Sequence, residues 1–428
     1  SFAVLATLVL LPGLAVAGTW KGTETTVDGV PVIQNPAEAI DPSMTVELDE
    51  VFRLGGWDGG DDEFFGVVSD IAVDDEGNLY VLDAQLHEVK VYDAQGNYLN
   101  TIGREGEGPG EFRGASSLFW LPSGQLGVLQ AFPSRIVTLA KDGTPGDDFE
   151  LQKPEGSGFM ITTSVDRAGE NYAVGYQFRE FDQEQQKFTQ TVWLSLFDAE
   201  GQEIERLKNK VGGMDFKNPV VSEEGFDSFV ARMAVADNGS VYAADDLVSY
   251  RVNVWNPDGS KQRVIEREYA THERTSEEID ELLAIYKGFT PQGQVPPNTT
   301  YEVNDVHPPI DSGGVHVRPD GSLWVLTSRG SDEDADDQLG TFDVFDPKGR
   351  FVRQATLVGQ CDNDDDRIFF VGDRILVVTG FLNAAMTAQG GGNEEAMDEE
   401  PEPMAIICYR SSDLDRVANI PGGPADSR

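Results

Sequence analysis

DIAVDDEGNLYVLDAQLHEVKVYDAQGNYLNTIG, residues Asp70 to Gly103, holds four short runs of β character: Asp70–Val73, Leu79–Leu82, Glu88–Tyr92 and Tyr98–Ile102. Asp75-Glu76-Gly77-Asn78 joins the first two runs, and Ala94-Gln95-Gly96-Asn97 joins the last two. Glycine at those tips accepts the positive φ that tight hairpins need. The stretch reads as one four-stranded antiparallel meander, with strands a to d.

The same pattern returns along the chain. A second unit turns at Pro122-Ser123-Gly124 and Lys141-Asp142-Gly143, and a third at Arg167-Ala168-Gly169 and Ala199-Glu200-Gly201. The fourth turns at Asp237-Asn238-Gly239 and Pro257-Asp258-Gly259, the fifth at Pro319-Asp320-Gly321 and Pro347-Lys348-Gly349. A weaker sixth unit turns at Gly372-Asp373, with its third strand at Ala405–Tyr409. Strand b recurs as NLYVLD, SVYAAD, SLWVLT and RILVVT, and strand c as VKVYD, VNVWN and FDVFD. Repeats of roughly 40–45 residues predict an all-β, six-bladed β-propeller of four-stranded antiparallel blades, each burying both faces against its neighbours. Thr45–Leu54 (TVELDEVFRL) alternates apolar and polar residues and is expected to close the ring as the outer strand of the last blade. Asp415–Ile420 is the alternative closing strand. The propeller is expected over residues 45–420, after an extension at 18–44 and before a tail at 421–428.

Composition narrows the partners. Among 428 residues, 75 Asp+Glu stand against 32 Lys+Arg, a formal net charge of −43. Such a surface repels phosphate backbones and anionic lipid, so nucleic acid is excluded as a partner. A saline habitat would favour the same solvated acidic surface. No apolar run long enough to span a bilayer follows residue 17. Phe2 to Ala17 (FAVLATLVLLPGLAVA) is apolar, broken at Pro12-Gly13, and ends Ala15-Val16-Ala17. These are the marks of a secretory signal peptide, with a retained anchor as the alternative. Export to the periplasm, cell surface or medium is expected, where Cys361 and Cys408 could pair or remain thiols.

The stretch Ile102-Gly103-Arg104-Glu105-Gly106-Glu107-Gly108-Pro109-Gly110-Glu111-Phe112 resembles the blade junction of NHL-type propellers. With Tyr250–Glu268 and Asp320–Thr327, it makes the chain similar to bacterial secreted six-bladed β-propeller proteins of unassigned activity. The resemblance implies the fold and no chemistry. Blade six departs from the pattern, lacking the Gly-Asn tip and carrying a long acidic insertion.

In an a–b–c–d meander the a–b and c–d turns share one rim, and the b–c and d–a connections share the other. Extra residues fall in b–c loops at Phe178–Lys187, Ser328–Leu339 and Asn383–Pro403. The d–a connections swell at Lys208–Asp227 and Glu266–Ser312. All lie on one face, which is the expected site for a small polar ligand or a protein partner. Within the largest insertion, Thr275-Ser276-Glu277-Glu278 forms a capping box. Ile279, Leu282, Leu283 and Tyr286 follow at helical spacing up to Gly288. This predicts a short helix between blades four and five, packed over the rim or gating it, with a Pro-rich return strap at Thr290–Pro309.

Strand a is innermost and starts on the elaborated face. Seven positions before each a–b glycine stand Asp70, Ser117, Thr162, Arg232 and Gly314, with Asp366 as the blade-six equivalent. Carboxylates, hydroxyls and a guanidinium at a channel mouth suit a small polar ligand. Asp70 and Asp366 could also hold Ca²⁺, which takes oxygen donors. The plainer reading pairs Arg232 with Asp70 or Asp366. His307, in the strap, is placed to reach the mouth, whereas His87, His272 and His316 read as scattered single residues. The acidic runs Asp58–Glu63, Asp332–Asp337, Asp362–Asp366 and Glu394–Glu402 lack EF-hand spacing. No nucleophile elbow, P-loop or HExxH motif is present, so no catalytic residue is assigned. A non-catalytic binding module is the first expectation. A metal-dependent hydrolase or lyase, or a structural protein associating through its N-terminal apolar segment, are the alternatives.

Overall fold

Each blade is initiated by its own hairpin chemistry. In blade one, Asp74 Oδ1 accepts the backbone N–H groups of Glu76 and Asn78, both at 2.9 Å, and Gly77 turns at φ +83°. Asp93 repeats the device with Gln95 and Asn97 at the c–d turn, as does Asp198 with Glu200 and Gln202 in blade three. An Asx side chain thus stands in for a backbone carbonyl at the mouth of each loop.

The computed structural model describes residues 18–57, 59–153, 158–289, 296–331, 337–388 and 403–417. It is a six-bladed β-propeller. Blade one is the antiparallel sheet of Val68–Val73, Leu79–Asp83, Glu88–Tyr92 and Tyr98–Ile102. The inner strands of the other blades are Ala115–Trp120, Phe159–Ala168, Met233–Val235, Val315–Val317 and Arg367–Val371. Inner strands of consecutive blades touch around the axis. Six apolar clusters fill the interfaces between blades, one between each neighbouring pair. Strand b is therefore covered on both sides. Every residue of Leu79–Asp83, Leu126–Gln130 and Arg374–Val378 is buried.

Three expectations are corrected here. First, the blades are not uniformly four-stranded. Blade two keeps three regular strands, Ala115–Trp120, Leu126–Gln130 and Arg135–Leu139. Its fourth run is reduced to bridges from Ile136 to Phe149 and Leu139 to Pro145. Pro145 lacks an N–H, and the Asp148 carboxylate takes the Thr138 N–H at 3.0 Å in place of a ladder carbonyl. Blades four and five gain strands instead. The hairpin Thr23–Val27/Val30–Asn35 adds to Lys261–Arg267, giving six strands, and Met44–Glu47 adds in parallel to Phe351–Val358, giving five.

Second, Thr45–Leu54 is two strands. Met44–Glu47 ends on blade five, where Leu48 N donates to Val358 O at 2.9 Å. Asp49–Gly55 then pairs antiparallel with Ala405–Arg410 and closes blade six. The apolar alternation serves two cores: Val46 packs between blades five and six, and Leu54 between blades six and one. In the alternative closing segment, Leu414–Val417 is a helical turn.

Third, the surplus in blade three is not a loop. Its strands Asn171–Asp182, Lys187–Phe197 and Glu203–Asp215 run on past the rim as a projecting sheet. Phe181 lies opposite Phe188 there, and its ring meets Phe216 edge-on at 5.5 Å. Of the two outcomes left open for Cys361 and Cys408, the structure has the free thiols. Cys408 belongs to the core between blades six and one, while Cys361 packs on the core between blades five and six. The sheet of blade six separates them.

The helix Ser276–Phe289 forms with its capping box, the Glu278 N–H donating to Thr275 Oγ1 at 3.3 Å. The segments 1–17, 332–336, 389–402 and 418–428 lie outside the described residues, and with them the apolar N-terminal run, two of the acidic runs and the tail.

Candidate functional site at the channel mouth

The inner edge of strand a has no strand partner, so its peptide groups need other ones. Side chains of the preceding blade supply them. Asp70 Oδ2 accepts the Leu118 N–H at 2.8 Å, and Ser117 Oγ accepts the Val165 N–H at 3.4 Å. Arg367 Nη1 donates to Ser69 O at 3.1 Å, clasping blade six to blade one in the opposite sense. Asp70 and Ser117 are thus built into the ring as well as facing its axis.

Pairing registers identify the true ring. Asp70 lies opposite Leu82, Ser117 opposite Leu129, and Ser164 opposite Gly175. The ring residue of blade three is therefore Ser164. Thr162 sits one rung outward, fully buried, with its hydroxyl 2.7 Å from Ser134 Oγ. The count slipped because Ala168 pairs directly with Asn171, so this turn has two residues where blade one has three. Arg232 and Gly314 do hold the ring positions of blades four and five, their carbonyls accepting from Ala244 N and Leu326 N. In blade six the ring residue is Arg367, opposite Val378, and not Asp366.

Three predicted partnerships are replaced by others. Arg232 is 4% exposed and makes a bidentate pair with Asp227, both contacts at 2.9 Å, rather than with Asp70 or Asp366. Asp366 closes its own loop, accepting from Asp362 N and Gly380 N at 2.9 Å each. Asp365 accepts from Asn383 N at 2.8 Å and fastens the helix Phe381–Ala388. The acidic run Asp362–Asp366 is thus loop construction. Among the described residues no three His, Cys, Asp or Glu side chains converge as a metal site. His307 lies in the insertion: its ring stacks on His272 at 4.6 Å and its Nε2 stands 3.0 Å from Glu278 Oε1.

The charged groups that line the axis were mostly missed. Burial pushes the Asp70 carboxyl up to about 6, against its two backbone donors and the positive Arg367. Burial pushes Asp166, two residues beyond Ser164, up to about 7, and the charges of Asp70 and Asp237 add to the rise. His316 is held down to about 3 by burial and by Arg367, and its ring stacks on Phe370 at 4.2 Å. Asp166 and Arg367 keep contact with solvent because they face the axial channel, while the surrounding walls remove most of the bulk screening. Antiparallel pairing counted from strand b would have found Arg367. No local signal marks Asp166.

Long-range contacts assemble the insertions around this mouth. Val220–Ser222 pairs in parallel with Thr300–Glu302, joining the two d–a insertions. Beneath them Glu223 receives both Arg274 nitrogens at 2.8 Å and the Asn304 N–H at 2.9 Å. Arg329, from the b–c loop of blade five, donates to Ala270 O at 2.9 Å.

A family model described as a 6-bladed beta-propeller matches residues 59–218. No curated protein sequence matches the chain significantly. Among solved structures, a Bacteroides fragilis protein described as exported is 11% identical, with a TM-score of 0.47 over 86% of this chain and 99% of that one. A DUF4221 family member from Bacteroides vulgatus is 10% identical, with a TM-score of 0.44 over 85% and 98% of the two chains. A regucalcin from Agrobacterium tumefaciens, titled a calcium-binding protein, is 11% identical, with a TM-score of 0.38 over 87% and 97%. These distant likenesses carry no argument about chemistry. By its own strand order the chain is a six-bladed β-propeller, in agreement with the family model that matches residues 59–218.

Proposed function

We propose that the protein is an exported propeller that binds a small polar ligand or a protein partner on the face bearing the insertions. One observation carries the reading. Among the described residues the b–c loops and d–a connections carry a set of large exposed apolar side chains, while Tyr98, Leu99 and Ile204 lie exposed on outer strands. Trp57, Phe64, Phe132, Phe159, Phe181 and Val248 all project from the insertion face, with Phe132 and Phe159 in contact at 4.4 Å between ring centres. Among the described residues, no a–b or c–d hairpin loop exposes a comparable side chain. Exposed aromatic surface beside fixed charges is what recognition surfaces use, because it gives apolar contact area together with orientation.

Export rests on the apolar run Phe2 to Ala17 with its Ala-x-Ala ending. Among the described residues no helix is long and apolar enough to cross a membrane. The metal-dependent hydrolase reading gains nothing from the described side chains and is not advanced.

Soaking crystals with a library of small polar and aromatic fragments tests the site. Fragments should cluster between the channel mouth and the Phe132–Phe159 pair. Occupancy spread evenly over the hairpin rim and outer strands would overturn the proposal.

A further inference from the structure

Opposite charges line the channel mouth without joining. The Arg367 guanidinium stands over two aromatic rings, 4.7 Å from the centre of Phe369 and 5.0 Å from that of Phe381. Its one hydrogen bond, from Nη1 to Ser69 O, sets it beside the backbone of Asp70. Among the described residues no carboxylate makes an ion pair with it. Asp70 occupies the same ring position one blade on, its two oxygens held by the Ile71 and Leu118 N–H groups at 2.9 and 2.8 Å. Asp166 lies two residues beyond the blade-three ring position, toward the a–b turn, and among the described residues its carboxylate accepts from the adjacent Arg167 N–H at 2.7 Å and from no other group. Arg367 and Asp70 are thus each tied to the backbone of the next blade, by Ser69 O and the Leu118 N–H, rather than to one another.

Such an arrangement selects its ligand. Charges walled off from bulk water are costly without a partner, and a ligand that brings the opposite sign to each offsets that cost. Guanidinium nitrogens left open recognise a carboxylate through directed N–H···O bonds, and the two neighbouring rings help hold the fork in place. The carboxylates of Asp70 and Asp166 have lone pairs left for an ammonium group. A lone anion would meet the long-range repulsion of a protein carrying −43, and a lone cation would meet Arg367. A net-neutral ligand bearing both signs avoids both penalties. Among the described residues the Ser164 hydroxyl, at the blade-three ring position, lacks a hydrogen-bond partner in the protein and can serve the ligand.

We propose that the axial channel, entered from the insertion face, binds a small zwitterion, with its carboxylate on Arg367 and its protonated amine on Asp70 and Asp166. This rests on the reading of the insertion face as a ligand-binding face, and it names the ligand class.

Calorimetric titration of the purified protein with ω-amino acids, from glycine to 6-aminohexanoate, tests it. Matched n-alkanoates and n-alkylamines serve as single-charge probes. One chain length should bind roughly tenfold or more tightly than its matched acid and amine. Arg367→Gln should weaken that ligand roughly tenfold, as should Asp166→Asn at its solvent-facing position. Arg367→Lys, which keeps the charge and loses the fork, should fall between Arg367→Gln and the unaltered protein. Silence of the whole series up to about 10 mM overturns the proposal. An alkanoate binding as well as the amino acid, or affinity unmoved by Asp166→Asn, also overturns it. Fragments clustering on the insertion face while the amino acids stay silent would sink the zwitterion and spare the face.

Discussion

The two rims of the ring are built by different physics. On the hairpin rim each loop satisfies itself: Asp74, Asp93, Asp198, Asp258, Asp320 and Asp346 each accept backbone N–H groups two to four residues ahead. On the insertion rim the stabilising contacts join residues far apart in the chain, as between Glu223 and Arg274 or Asp227 and Lys210. The local rim is uniform and polar. The assembled rim is irregular, and it holds both the exposed aromatic side chains and the channel's charges. A self-sufficient hairpin has nothing left to offer a ligand, whereas a surface assembled from distant segments can leave groups turned outward.

Substitutions should separate the rims by magnitude. The largest effect is expected for Glu223→Ala. Glu223 and Arg274 are each 8% exposed, so removing the carboxylate strands a buried guanidinium and the Asn304 N–H, at a cost of about 3–5 kcal/mol. Denaturant unfolding together with limited proteolysis should show the segment 266–312 released first. Loss of less than about 1 kcal/mol would mean that the insertions are not held by this contact.

Asp74→Ala should cost less, about 1–2 kcal/mol, because it removes one loop's hydrogen bonds and the Lys141 contact at 2.9 Å. Despite its burial, the Asp74 carboxyl is held below the ordinary carboxylate range by Lys141 and Asn78. Its folded-state pKa is depressed, so this stability is present above the unfolded pKa and is lost as pH falls through the folded value. The gap between Asp74→Ala and the unaltered protein, followed by melting, should close in acid.

The smallest effect has the opposite sign. Asp166 titrates at about 7 in the fold, above its unfolded value. Its favourable contribution is complete below the unfolded pKa and fades as pH rises through about 7. Asp166→Asn should therefore raise the melting temperature at pH 8 by about 2 °C, a modest figure because channel water screens the charge. The difference should vanish near pH 4. An equal shift at both pH values would show that Asp166 feels no confinement.

Much of this was legible in the residues. Gly77, Gly96 and their counterparts placed the hairpins and hence the blades. Ring positions could be counted for Asp70, Ser117, Arg232 and Gly314, because those blades share one turn length. The count failed at Thr162 and Asp366, where two-residue turns at Gly169-Glu170 and Gly372-Asp373 changed the offset. Asp227, the partner of Arg232, stands five residues away in an insertion with no periodicity to place it. The split of Thr45–Leu54 was hidden for a related reason: one alternating run reads the same whether it feeds one core or two.

The amino-acid sequence by itself determined the number of blades, the order of their strands and which rim would be uniform. Those features follow from interactions within a few residues, where turn geometry and β alternation act directly. Only the tertiary structure decided that Arg367 rather than Asp366 faces Asp70, that Asp166 lines the axis, and that Glu223 knots two insertions together. Such outcomes depend on the register of whole sheets around a closed ring, and a slip of one residue sends a side chain to the opposite face.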